Sequence, residues 1–343
     1  MKGIVLKEDE NMMRKRIKQG GALVLAFVLL LGTFTLSRVQ AALAVDTERK
    51  CSVQVNVSDG HFKELDGMNV TVDLYKVAEM SEFGAYTLTP AFAELTAIEE
   101  VSSDTTAADW EHFAVLAKEI VDAGDVEKAA TGTTSNGTIR FEGLDVGLYL
   151  IDAQSALSDT NEYTFKPSLI SVPNNYYHMT GNDEWVYDLT GENAVTIKSE
   201  KTDRYGNLEI IKILDVFNET IGGATFVFQI EAVKTDIDTG EEKVVYSDVV
   251  SMTFHGPGTD SLVIEGIPAG AVVTITEIYT GASYTLVSDG TQTVIITAED
   301  VVGTTFENTY DEGLNGGGGI VNHFSYNPET GEWTHTATED STQ

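Results

Sequence analysis

Three polar residues of complementary chemistry occupy apolar stretches in the second half of this 343-residue chain. Lys212 lies within LEIIKIL, Glu277 ends VTITE, and Asn308 lies within FENTY. Each stretch has the two-residue period of a half-buried β-strand, and each polar residue shares the parity of its apolar neighbours. The pattern therefore predicts that an amine, a carboxyl group and a carboxamide face one apolar interior.

Burial changes what these groups can do. An apolar environment lowers the pKa of an amine and raises the pKa of a carboxyl group, so both are driven towards their neutral forms. A neutral amine is a nucleophile, and a protonated carboxyl group can polarise a carboxamide and shuttle protons while ammonia leaves. The product is a Lys to Asn isopeptide bond, which would close a loop of about 96 residues and stabilise the fold by ~4.7 kcal/mol. A buried ion pair with a hydrogen-bonded asparagine is the alternative.

The elements that must position these residues are mostly β-strands. Val70, Val72 and Leu74 show the same alternation as the stretches above. One segment, 107–123, instead has apolar residues at helical spacing, between a cap at Thr105 or Thr106 and a stop at Gly124. This predicts one amphipathic helix packed on a sheet.

The chain divides into two similar parts. FEGLDVG at 141–147 and IEGIPAG at 264–270 are each a tight turn that leads into a strand, and the polar segment 198–207 is the natural linker between them. We predict an all-β fold of two tandem Ig-like or transthyretin-like β-sandwich domains, 45–200 and 204–311, with the helix inserted in the first. Residues 312–343 are predicted to form a glycine-rich joint and a C-terminal β-hairpin.

Residues 1–44 have the features of a signal peptide. Basic residues precede an apolar run at 22–36, and the small-residue site Ala42-Leu43-Ala44 follows it. We expect cleavage near Ala44, and the apolar run is too short to indicate a membrane span in the mature chain.

Composition excludes several classes of function. The 54 acidic and 21 basic residues give a formal net charge of -33, which phosphate backbones would repel, so we expect no nucleic acid partner. The single cysteine, Cys51, cannot form an intramolecular disulfide. The acidic segment 236–242 is better interpreted as a hairpin turn than as a calcium loop. We expect no metal and no cofactor, and the scattered histidines do not indicate a hydrolase.

LEIIKIL, VTITE with Tyr284 after it, and FENTY resemble the three key strands of the Cna B-type (streptococcal pilin isopeptide-linkage) domain of Gram-positive surface proteins. The resemblance implies that Lys212 is the nucleophile, Asn308 the electrophile and Glu277 the catalytic acid. The first domain is similar to the N-terminal domains of sortase-assembled pilins through VTVDLYKVA (70–78), GLYLI (147–151), PSLISVP (167–173) and WVYD (185–188). The resemblance implies a secreted or surface-located structural subunit, with other surface or pilus subunits and a sortase as partners.

Three further sites are weaker hypotheses. Lys76, Asp152 and Asn193 share the parity of apolar neighbours and would form a second crosslink. Lys198 is the candidate pilin-polymerising lysine, although the Tyr-Pro that precedes it in such pilins is missing. The sequence contains no LPxTG motif. NPETG resembles a sorting motif but is also an ordinary hairpin turn, and it comprises Asn327, Pro328, Glu329, Thr330 and Gly331.

Two other functions stay open. A secreted or surface-retained adhesin would bind a host protein or carbohydrate without covalent polymerisation, through the exposed aromatic residues Tyr163, Tyr176, Tyr177 or Trp185. An enzyme would need a concave site with perturbed acids away from the two cores. We therefore expect no catalysis beyond a single intramolecular turnover.

Overall fold

The computed structural model describes residues 44–311 except 59, 103, 176–183 and 221, together with the backbone of the strands 320–327 and 332–339. The described chain divides into two compact units with their boundary between Asp203 and Arg204, and the short segment Ile237–Gly240 groups with the first unit. Apart from its last residue, the predicted signal peptide lies outside the described residues. Within them, no helix has the length and apolar character needed to cross a membrane.

The first unit is built mainly from two sheets. Its strands are β1 Cys51–Asn56, β2 Thr71–Met80, β3 Tyr86–Leu88, β4 Ala130–Thr133, β5 Thr138–Leu144, β6 Gly147–Ala153, β7 Ala156–Leu157, β8 Asn161–Phe165, β9 Ser168–Val172, β10 Asn174–Asn175, β11 Trp185–Val186, β12 Asp188–Leu189, β13 Val195–Thr196 and β14 Ser199–Asp203. A five-stranded sheet has the order β3-β2-β6-β9, with β4 also paired to β2, and a four-stranded sheet has the order β12-β1-β13, with β5 also paired to β1. Two smaller sheets have the orders β14-β8-β7 and β10-β11.

The predicted amphipathic helix is confirmed and spans Ala107–Ala123. Its N-terminus is a capping box, because the Thr106 side chain accepts from the Asp109 amide while the Asp109 side chain accepts from the Thr106 amide. Its buried residues Trp110, Ala114 and Ala117 pack towards β6 and β9. A short helix, Lys63–Gly67, and the 3-10 turns Pro90–Phe92, Thr96–Ile98 and Gly191–Asn193 complete this unit.

Strand β2 differs from the half-buried strand that its alternation predicts. Asp73, Tyr75 and Val77 are buried as well as Val72 and Leu74. The helix packs against the neighbouring strands of the same sheet, so both faces of the sheet are covered. The alternation of apolar residues in β2 therefore does not show which face of the strand is buried, because both faces are.

The second unit contains a sandwich of two four-stranded sheets. Its strands are β15 Tyr205–Leu214, β16 Ala224–Thr235, β17 Glu242–Phe254, β18 Gly258–Pro268, β19 Val272–Tyr279, β20 Tyr284–Leu286, β21 Thr291–Ile295 and β22 Val301–Tyr310. The sheets have the orders β18-β15-β22-β20 and β17-β16-β19-β21. Residues from both sheets form one core, including Ile210, Phe226, Ile275 and Phe306. The first and last strands of the sandwich, β15 and β22, are parallel neighbours.

The boundary between the two units, between Asp203 and Arg204, falls within the predicted linker 198–207, but the segment is extended rather than irregular. Ser199–Asp203 pairs with Asn161–Phe165, and Tyr205 already belongs to β15, so the polar segment is strand with no extended flexible stretch. Its polar composition reflects solvent exposure of one strand face, since Glu200 and Thr202 are exposed. The predicted C-terminal hairpin is confirmed: β23 Ile320–Asn327 and β24 Glu332–Glu339 are antiparallel, with Asn327 opposite Glu332.

Candidate functional site

Lys212 is placed in the core by the strict alternation of β15. Leu208, Ile210, Lys212 and Leu214 are all buried, whereas Glu209, Ile211 and Ile213 lie on the half-buried face. The lysine side chain is fully buried. The Lys212 amine on β15 therefore lies in the interior of the sandwich.

Asn308 enters the same interior from the neighbouring strand. In the parallel register of β15 and β22, Lys212 lies opposite Phe306 and Leu214 lies opposite Asn308. Asn308 is thus two positions along from the residue opposite Lys212, and the two share a face because strand side chains alternate. Asn308 is fully buried.

Glu277 comes from the other sheet. It lies on β19 on the buried parity of Val273 and Ile275, and its side chain has no exposed surface. A β-bulge follows it, because β16 pairs Phe228 with Glu277 and Val227 with Tyr279, leaving Ile278 without an opposite residue. Ile278 and Tyr279 both point outwards as a result, while Glu277 remains directed inwards.

The three side chains form a closed network. The Lys212 Nζ donates to Glu277 Oε2 at 2.9 Å and also to the Asn308 Oδ1. The Asn308 Nδ2 donates to Glu277 Oε1 at 2.7 Å. The two oxygens of one carboxyl group therefore contact the Lys212 amine and the carboxamide nitrogen of Asn308.

Burial sets the protonation tendency of the pair. Burial lowers the pKa of Lys212, although the Glu277 carboxyl group beside it acts in the opposite direction. Burial likewise raises the pKa of Glu277 against the opposing effect of Lys212 and Asn308. Both shifts favour the neutral amine and the neutral acid, which are the forms that nucleophilic attack and proton transfer require.

Aromatic rings enclose the amine. The Lys212 Nζ lies 4.5 Å from the centroid of the Phe226 ring and 5.9 Å from that of Phe228. Phe228 in turn packs against Phe306 at a centroid distance of 5.1 Å. These rings exclude water from the side of the amine that the glutamate and asparagine leave open.

Sequence reasoning missed one group at this site. The main-chain carbonyl of Thr280 accepts a hydrogen bond from the Asn308 Nδ2 at 3.4 Å. A main-chain contact carries no residue-type signal, but Gly281, which has a φ of +81°, marks the turn that directs this carbonyl.

The predicted second crosslink is not assembled. Asp152 lies opposite Asp73 and Lys76 lies opposite Tyr149 in the pairing of β2 with β6. Paired residues share a face, so Asp152 points to the same face as Asp73. Lys76 is an odd number of residues, three, from Asp73 and therefore points to the opposite face. Lys76 forms an ion pair with Glu79 instead, and the Lys118 Nζ lies 3.6 Å from Asp152.

Asn193, the third residue of that prediction, belongs to the 3-10 turn Gly191–Asn193 beside the other sheet. Shared parity was the basis of the hypothesis, and it failed because parity does not specify which strands are neighbours.

Lys198 follows β13 and its Nζ forms an ion pair with Glu111 at 2.5 Å. Its role as a polymerising lysine stays a prediction.

Asn327 ends β23, and the rest of the sorting-like motif, 328–331, lies outside the described residues. For the acidic segment 236–242, the Asp236 amide donates to the Glu241 carbonyl in the turn between β16 and β17. In the described part of the chain, no cluster of three or more metal-ligating side chains occurs.

The aromatic residues proposed as adhesin contacts do not form an exposed set. Tyr163 is fully buried, so this part of the prediction is wrong. Its hydroxyl donates to Glu64 Oε2 at 2.5 Å, and its ring packs against Phe62. Trp185 is half-buried, and Tyr176 and Tyr177 lie outside the described residues.

Comparison with protein families and curated proteins gives one match. Residues 208–311 match a family described as a domain of unknown function, DUF5979, and this range contains all three residues of the network. No curated protein matches the chain.

The chain is also similar to solved structures of pilins and adhesins. The minor pilin GBS52 of Streptococcus agalactiae is 14% identical, with 77% of this chain and 98% of the pilin covered and a TM-score of 0.22. The major pilin SpaD of Corynebacterium diphtheriae is 13% identical, with coverages of 78% and 99% and a TM-score of 0.25. An adhesin of Mobiluncus mulieris that contains disulfide, isopeptide and ester crosslinks is 14% identical, with coverages of 71% and 84% and a TM-score of 0.24.

Proposed function

We propose that this protein is an exported, pilin-like structural subunit of a Gram-positive cell surface, and that an isopeptide bond between Lys212 and Asn308 stabilises its second unit. One observation carries the proposal: the carboxyl group of Glu277 contacts both the Lys212 amine and the Asn308 carboxamide nitrogen. A buried ion pair alone would not need the carboxamide in this position.

The geometry supports a balanced reaction. The neutral Lys212 amine attacks Cγ of Asn308, forming the new C–N bond and a tetrahedral intermediate. Glu277 takes the proton that the attacking nitrogen loses and delivers a proton to Nδ2, so the C–Nδ2 bond breaks and ammonia leaves. The glutamate ends in its starting protonation state, and the reaction needs no cofactor. This single intramolecular turnover is the whole of the proposed catalysis.

The position of the bond suits a load-bearing subunit. Lys212 lies on the first strand of the sandwich and Asn308 on its last strand, and these strands are adjacent. Tension that enters before β15 and leaves after β22 would pass through the bond and bypass the residues between them. Loss of the bond would also remove ~4.7 kcal/mol of loop-closure stabilisation.

The proposed location and partners follow from this function. A protein with a formal net charge of -33 is suited to an exposed, solvated position. We propose that the chain is exported with cleavage near Ala44 and associates with other surface or pilus subunits. A sortase that uses Lys198 would make the assembly covalent.

The intact mass of the denatured protein tests the bond. The wild-type chain should be lighter than its sequence mass by about 17 Da, the mass of one ammonia, because the carboxamide nitrogen has left. Lys212→Ala should have its full sequence mass. Lys243→Ala, on the exposed part of β17, is the matched control and should keep the deficit.

A wild-type chain at full sequence mass would overturn the proposal. Lys212, Glu277 and Asn308 would then be a buried polar cluster, and the adhesin function would become the leading alternative.

A further inference from the structure

The leaving nitrogen of Asn308 has a second acceptor that the reaction above does not use. Besides donating to Glu277 at 2.7 Å, Nδ2 donates to the main-chain carbonyl of Thr280 at 3.4 Å. The Oδ1 atom accepts from Lys212. Both ends of the carboxamide therefore have complementary partners. If the carboxamide were rotated so that its nitrogen and oxygen exchanged places, its oxygen would face the oxygens of Glu277 and Thr280, which accept from Nδ2 in the observed orientation.

The chain holds the Thr280 carbonyl in place by local geometry. The bulge at Ile278 ends the regular pairing of β19, and Gly281 then adopts a φ of +81°. A Cβ atom on Gly281 would lie 2.8 Å from Cδ2 of Tyr284. Only glycine therefore fits the turn without strain or displacement of this ring.

Tyr284 cannot easily move aside. Its hydroxyl accepts a hydrogen bond from the Asn218 amide at 3.1 Å, and its ring packs against Phe226 at a centroid distance of 5.6 Å. Phe226 is also the ring nearest to the Lys212 amine. The turn at Gly281 therefore packs, through Tyr284, against the Phe226 ring that lies over the Lys212 amine.

We propose that the Thr280 carbonyl is a positioned acceptor for the departing ammonia and that it makes the site specific for asparagine over aspartate at position 308. This inference rests on the proposed crosslink. As the C–N bond breaks, Nδ2 gains a third proton and positive charge, and a fixed carbonyl dipole stabilises charge that develops at that point.

An aspartate at this position would place an oxygen, in place of the Nδ2 donor, beside Glu277 and the Thr280 carbonyl. The main-chain carbonyl of Thr280 can only accept, and an ionised carboxylate has no hydrogen to place between its oxygen and that carbonyl. A protonated carboxyl group could satisfy the carbonyl only with its single O–H. The ionised form would therefore leave a buried oxygen facing the Thr280 oxygen, which is costly in a buried site.

The first test is Asn308→Asp, which is nearly isosteric and keeps the inward side chain. Its crosslink would release water, about 18 Da, in place of ammonia. We expect the crosslinked fraction, measured by intact mass at fixed times after synthesis at about pH 7, to rise at least ~10-fold more slowly than in the wild type.

The second test is Gly281→Ala, which disturbs the direction of the Thr280 carbonyl without changing a reacting group. We expect slow and incomplete loss of ammonia, again by ~10-fold in rate. Gly266→Ala is the matched control, because Gly266 has a φ of +74° in the same unit but a Cβ atom added there would meet nothing within 4 Å. It should crosslink at the wild-type rate.

The outcomes separate the inference from its premise. Wild-type protein without an ammonia deficit would overturn both. Wild-type protein with the deficit, together with Asn308→Asp that crosslinks equally fast, would overturn the inference alone. If Gly281→Ala fails to fold, as shown by circular dichroism, Asn308→Asp decides the question by itself.

Discussion

Lys212 donates a hydrogen bond to the side-chain oxygen of Asn308 across two adjacent parallel strands, although 96 residues separate them in the chain. The contact places the amine beside the carbon it would attack. Glu277 from the opposite sheet completes the arrangement, so the two sheets of the second unit meet at this cluster.

Glu277→Gln should prevent the crosslink. An amide in place of the carboxyl group cannot accept the proton of the attacking amine and return it to Nδ2, so no ammonia should leave. Intact mass spectrometry should therefore find the full sequence mass. Glu307→Gln, one residue from Asn308 and on the opposite strand face, is the control and should retain the deficit. A deficit in Glu277→Gln would show that another group transfers the protons.

Lys212→Ala and Asn308→Ala should each destabilise the second unit by about 5 kcal/mol or more. Each removes the same covalent link, for which loop closure alone accounts for ~4.7 kcal/mol. The double variant should cost little more than either single variant, because the link can be lost only once. Guanidinium unfolding of the three variants and the wild type measures this. Additive effects of the two substitutions would be inconsistent with a bond between them.

Asp152→Asn should stabilise the first unit near neutral pH. Burial raises the pKa of Asp152, with Asp122 and Asp73 adding to the shift and Lys118 opposing it. A raised pKa means that the folded state binds the proton more tightly than the unfolded state. The stabilisation from this group is therefore present below the ordinary value of 3.8 and is lost as the pH rises through the folded pKa.

Thermal unfolding of the full chain at about pH 7 and about pH 3 tests this expectation. Asp152→Asn should unfold at a higher temperature than the wild type at the higher pH and show a smaller difference at the lower pH. Asp122→Asn, whose side chain is largely exposed, should have little effect at either pH. An equal gain at both values would refute an origin in carboxyl ionisation.

Tyr163→Ala should lower the stability of the first unit by about 3–5 kcal/mol, the range for loss of a large buried aromatic side chain. The ring is fully buried, and its hydroxyl is one of the donors to Glu64. Phe83→Ala provides the contrast, because Phe83 is 83% exposed and its loss should change stability by less than about 0.5 kcal/mol. Chemical denaturation measures both. Similar effects of the two substitutions would contradict the burial of Tyr163.

The amino-acid sequence by itself determined the faces of the strands and the course of the helix. Alternation in β15, β19 and β22 was sufficient to direct Lys212, Glu277 and Asn308 inwards, because strand side chains alternate with a period of two. Spacing, a threonine cap and a glycine stop were sufficient for the helix Ala107–Ala123. These features depend on residues that are close in the chain.

Only the tertiary structure decided which inward-facing residues meet. The parallel register of β15 and β22 brings Asn308 close to Lys212, and a bulge follows Glu277 in β19. Both features depend on pairing between segments that are distant in the chain. In the first unit the same parity rule grouped Lys76 with Asp152, and the register placed them on opposite faces. Tyr163 was expected at the surface and is buried. The physical reason is that a period of two specifies a face of a strand, whereas neighbours and register depend on how the whole core packs.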